Sequence, residues 1–102
     1  MCFMITCRIP VERRNELAKN DTLGETVKSI MEKLQPEAAY FAAIEGARGG
    51  YIVVHVDASQ IPAMTESLFH ALGATVKVHP VMTPEDLAKG RPAIVQAAEK
   101  FG

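Results

Sequence analysis

The chain has 102 residues, 48% of them hydrophobic and 23% charged, with a formal net charge of −1. That length fits one domain with a single core and no need of disulfide staples, and the composition excludes a disordered chain. The near-zero charge disfavours nucleic-acid backbone binding, and the longest uncharged apolar run, Ala38 to Ile44, is far too short to span a bilayer.

Cys2 to Ile9 alternates Phe3, Ile5, Cys7 and Ile9 against Met4, Thr6 and Arg8, which is strand periodicity ended by Pro10. Cys2 and Cys7 are five residues apart on this strand and so point to opposite faces. No bridge between them is expected, and the chain reads as reduced and cytoplasmic. The opening MCFMITCRIP has no basic region of the kind a signal peptide carries. Residues 10–21 are charged without a clear apolar face and read as a long loop with one helical turn. Thr22 to Glu25 has the capping-box pattern, and Leu23, Val27, Ile30, Met31 and Leu34 then share one helical face up to Pro36.

Ala38 to Asp57 holds two runs rich in β-branched and aromatic residues around the segment EGARGG. That is a hairpin signature, because turns need residues that tolerate positive φ. Ile52, Val54 and Val56 fall on the core side of its second strand, and Tyr51, Val53, His55 and Asp57 on the other. Phe41 is expected inward and Tyr40 outward. Ser59 is expected to cap a second helix, whose buried face is Ile61, Met64, Leu68 and Leu72 and which ends at Gly73. Ala74 to Val81 reads as the last strand, with Val76 and Val78 inward and Thr75, Lys77 and His79 outward. Thr83-Pro84-Glu85-Asp86 is a strong helix start. A helical extension over residues 83–100 follows, with Gly90 and Pro92 expected to bend or split it.

The fold class is therefore α+β: one domain, residues 1–102, in the order βαββαβ plus a C-terminal helix. Right-handed crossovers give a ferredoxin-like antiparallel sheet in the order 4-1-3-2, with two helices on one face. The other face carries Met4, Tyr40, Val53 and Val81, too apolar to be left wet.

With that element order and sheet face, the chain resembles the dimeric α+β-barrel superfamily, in which two such sheets enclose a barrel. The segments FMITCRIP, YFAAIEGARGGYIVV and HPVMTPEDLAKG further resemble a bacterial domain family with no assigned activity. The superfamily includes muconolactone-isomerase-like enzymes, cofactor-free oxygenases, haem-degrading monooxygenases and small ligand-sensing domains. The haem-degrading branch uses an Asn, Trp and His set, and this chain has no Trp. The resemblance implies a homodimer through the open sheet face and a small-molecule site between the sheets. Fold alone does not choose the chemistry.

Within the sheet, strands 1 and 3 are expected to run parallel and adjacent. Thr6 and Arg8 then approach His55 and Asp57, and Tyr40 reaches the same end from strand 2. His55, Asp57 and Tyr40 are the expected catalytic set: His55 as acid or base, with Asp57 or Tyr40 orienting it. Arg8, Thr6 and Val53 are the expected substrate contacts, Arg8 for an anionic group. His79 is placed at the opposite end near Met4, so His55 and His79 should not share a metal within one copy. No metal or cofactor is called for. The blander reading makes all of these polar residues of a dimer seam, with His55 inert, because ionisable groups mark function only probabilistically.

His70 reads as a surface residue, Cys7 as a small core hydrophobe, and EGARGG lacks the phosphate-loop pattern. No CxxC, HExxH or GxSxG occurs. Nucleic-acid binding through the sheet is disfavoured, since RNA readers of this topology present aromatics amid basic residues. The expected function is a small-molecule enzyme of the isomerase or cofactor-free oxygenase kind. The alternative is a non-catalytic ligand-binding or sensing domain.

Overall fold

The computed structural model describes all 102 residues. Strand β1 (Cys2–Arg8) is followed by helices α1 (Val11–Lys19) and α2 (Leu23–Leu34), and then by strands β2 (Ala38–Ile44) and β3 (Ala47–His55). A short 3-10 turn, Ala58–Gln60, leads into α3 (Ile61–Leu72), β4 (Thr75–Pro80) and α4 (Pro84–Phe101). The four strands form one antiparallel sheet in the order β2-β3-β1-β4, the order expected.

The alternation in β1 and β3 decides which face is covered. Phe3, Ile5 and Cys7 from β1 and Ile52 and Val54 from β3 are buried, and they meet Ile30 and Leu34 of α2 and Met64, Leu68 and Leu72 of α3. Each of these side chains contributes roughly 1.5–3 kcal/mol by leaving water. No residue of β2 belongs to that core. On the helix side of β2, Phe41 is 63% exposed.

Phe41, expected inward, is not covered, and Ser59, expected to cap α3, lies inside the 3-10 turn, which Asp57 caps. Three larger expectations need correction. The segment read as a loop contains α1, a full helix. Its sequence is too polar for a periodic signal; Leu17 is its one buried side chain, and Arg13 donates a hydrogen bond to the Ala71 carbonyl at 3.3 Å. Tertiary anchors thus stabilise a helix that its own pattern does not announce. The capping box at Thr22 does not form: its hydroxyl instead donates to the Leu17 carbonyl at 3.3 Å, tying α1 to α2.

The third correction governs the site. β1 and β3 are antiparallel, with Cys2 opposite His55 and Arg8 opposite Gly49. The reason is topological. The crossover through α1 and α2 returns the chain so that β2 runs with β1, and the tight hairpin then reverses it, so β3 must oppose β1.

The hairpin turn itself is only Glu45–Gly46, with φ of 49° and 79°. Two successive positive φ values are the signature of the tight hairpin turn that matches strand twist. Gly49 and Gly50 lie inside β3, not in the turn. No helix is long and apolar enough to cross a membrane.

Candidate functional site

The strand registers arrange the open face in rows. One row crosses all four strands: Tyr40 on β2, Tyr51 on β3, Thr6 on β1 and Lys77 on β4. The neighbouring row is Ala38, Val53, Met4 and His79. Adjacent residues in a row are about 4.5–5.5 Å apart at Cα or Cβ, and rows are about 6.6 Å apart along the strand. Two phenols, a hydroxyl and an ammonium thus border a floor of Met4 and Val53, with an imidazole one row away. Tyr40 is 67% exposed and Tyr51 36%, and no element of the chain covers them.

Thr6, Tyr40 and Val53 therefore share one patch, but the expected cluster of Arg8, Tyr40, His55 and Asp57 is not assembled. Arg8 and His55 are separated by six residues of strand, about 20 Å. Arg8 is occupied locally. Its Nε donates to the Ile44 carbonyl and its Nη2 to the Glu45 carbonyl, both at 3.2 Å, which clamps the hairpin turn. Asp57 lies beyond the end of β3, where its N–H donates to Gln60 Oε1 at 3.0 Å at the start of the 3-10 turn. His55 is exposed beside Glu37, with Nδ1 3.9 Å from Oε1, a looser contact than a hydrogen bond. His79 lies opposite Met4 as expected, but the antiparallel register puts it at the same end of the sheet as His55. Two strand spacings and one row separate them, about 12 Å. No group of three or more His, Cys, Asp or Glu side chains is placed to hold a metal ion.

Two residues of the patch, Tyr51 and Lys77, were not among the expected contacts. Their outward parity was readable; their alignment with Thr6 needed the register, which sequence did not supply. Elsewhere, Cys7 is buried, and desolvation pushes its thiol up, so it stays protonated in the core. His70 is exposed and paired with Glu66 at 2.9 Å.

On the helix side, a hollow of about 490 Å³ near the hairpin is lined by Val11, Arg14, Phe41 and Ala43 among others. It adjoins an apolar cleft of about 420 Å³ between α2 and the sheet, and Ile9, Phe41 and Arg48 border both.

No family model matches the chain, and no curated protein matches it. Among solved structures, 5-chloro-2-hydroxyhydroquinone dehydrochlorinase (TftG) from Burkholderia phenoliruptrix AC1100, in complex with 2,5-dihydroxybenzoquinone, is similar with a TM-score of 0.62. That likeness covers 83% of this chain and 97% of that chain at 12% identity. The de novo designed protein Ferredog-Diesel is similar over 78% of this chain and 85% of its own, at 16% identity and a TM-score of 0.46. Together with the sheet order, the likeness to the dehydrochlorinase establishes a ferredoxin-like α+β fold.

Proposed function

We propose that two copies of this chain pack their open sheet faces together as an α+β barrel. The cavity between them then takes a small, planar, oxygenated molecule, on which the protein acts as an enzyme. The observation that carries this reading is the row Tyr40, Tyr51, Thr6 and Lys77 across an otherwise uncovered sheet. Buried in a dimer, a flat ring would lie on Met4 and Val53. The phenols and Thr6 would hydrogen-bond its oxygens, and the Lys77 ammonium would balance a phenolate or enolate charge. The proton-carrying role falls to the histidines of this face: His79, one row from Lys77, with His55 at the rim.

The dehydrochlorinase with the similar fold is described with a dihydroxybenzoquinone bound, which makes that compound a suitable probe. Added 2,5-dihydroxybenzoquinone should raise the melting temperature of the purified protein, because a ligand that binds only the native state stabilises it. Lys77→Met and Tyr51→Phe should each weaken that shift. An unchanged shift in Lys77→Met would remove the open face as the site.

A further inference from the structure

α4 is out of place on a single copy. None of its 18 residues is buried. The molecule measures 59 × 26 × 19 Å with a radius of gyration of 17.2 Å, whereas a compact chain of this length has about 13 Å. Nor is α4 a helix that sustains itself in water. It carries Gly90 and Pro92 in its interior, which cost about 1 and 3 kcal/mol relative to Ala, and isolated helices near this length are marginal even without them.

Its surface is built for packing. Leu87, Ile94 and Phe101 recur every seven residues, with Gly90, Ala97 and Ala98 filling the same stripe and Arg91 at its edge. Glu85, Lys89, Gln96, Glu99 and Lys100 lie on the opposite side by the same spacing. Leu87 is 52% exposed, Ile94 53% and Phe101 80%.

We propose that α4 is an exchanged arm, seating its Leu87, Ile94 and Phe101 stripe on the uncovered helix side of β2 of a second copy. The inference rests on the homodimer reading above. Three observations select this occupant. First, in a face-to-face dimer whose two-fold axis runs along the strands, the sheet order lays β4 of one copy over β2 of the other, so α4, which follows β4, starts beside that edge. Second, the lengths agree: 18 helical residues span about 27 Å and the seven residues of β2 about 23 Å. Along that edge Phe41 is exposed, Ala39 and Ala43 leave room for a helix, and the hollow at Val11 lies at the far end. Third, the area favours it. The open face has a flat footprint of about 19 by 23 Å, about 900 Å² for two faces, which is small beside the roughly 1,200–2,000 Å² of accessible surface in a stable interface. Two arms, each burying about a third of its girth, add about 1,100 Å².

Sedimentation of the 102-residue chain tests this. The native protein should be a dimer at micromolar concentration, and Ile94→Asp should raise the dimer Kd about 100-fold, the loss of one anchor from each arm. A native monomer would overturn the dimer reading and the arm together. A native dimer with Ile94→Asp unchanged would overturn the arm alone. A second measurement does not depend on destabilisation. Differently tagged Cys2→Ser chains carrying either Ala98→Cys or Ala43→Cys are mixed and oxidised. A disulfide between the two tags is expected, and its absence overturns the exchange.

Discussion

At the residue scale, close approach explains what composition alone could not. Gly49 sits where β3 passes β1, and a Cβ there would collide with the Cys7 carbonyl oxygen and come within 3.4 Å of the Arg8 Cα. Both are backbone atoms and cannot swing aside. Gly49→Ala should therefore destabilise the protein by about 1–3 kcal/mol in urea titration, the usual cost of forcing atoms into a packed region. Gly24, with nothing within 4 Å of its added Cβ, is the control. Gly24→Ala should be neutral or stabilising by up to about 1 kcal/mol. Equal effects at the two sites would show that backbone crowding is not what selects Gly49. The glycines were visible in the sequence as a turn signal, yet only Gly46 serves the turn. A single sequence does not distinguish a glycine chosen for its φ from one chosen for its missing Cβ.

At the element scale, caps and anchors explain which readings survived. The start of α4 was fully legible. Thr83 Oγ1 accepts from the Asp86 N–H, and Asp86 Oδ2 accepts from the Thr83 N–H, both at 3.1 Å. The hydrogen bond from the Thr83 backbone, then that from its side chain, hold the Asp86 carboxyl below its ordinary value of 3.8. Because the folded value is the lower one, the cap is at full strength above pH 3.8 and is lost as pH falls through the depressed value. Far-UV circular dichroism should show helix loss on acidification, and Thr83→Ala should show part of it already at neutral pH. Helicity in Thr83→Ala that matches the native protein at every pH would argue against this cap. Gly90 and Pro92, expected to bend or split the helix, do not split it: α4 runs unbroken from Pro84 to Phe101. α1 shows the converse, since a polar segment becomes helical once Leu17 and Arg13 are anchored from outside it.

At the scale of the whole molecule, a single copy leaves too much apolar surface bare. Tyr40, Phe41, Leu87, Ile94 and Phe101 are all more than half exposed. In the proposed dimer, Val53 lies near the middle of the open face. Val53→Asp would bury an unpaired carboxylate there, so it should give a monomer at micromolar concentration in sizing experiments while keeping native secondary structure. A Val53→Asp dimer of native affinity would place the seam elsewhere. Local signals by themselves determined the elements: side-chain periodicity gave β1, β3, β4, α2 and α3 with their faces, residue type and turn chemistry gave β2, and the cap gave α4, because all of these are local properties. The sheet order also followed, since few right-handed connections are available to that element order. The grouping of the site was decided only by tertiary structure. Strand direction separates Arg8 from His55 by the length of the sheet, and the register lines Tyr40 and Thr6 up with Tyr51 and Lys77. Those are relations between strands far apart in the chain, and no local pattern encodes which residue faces which.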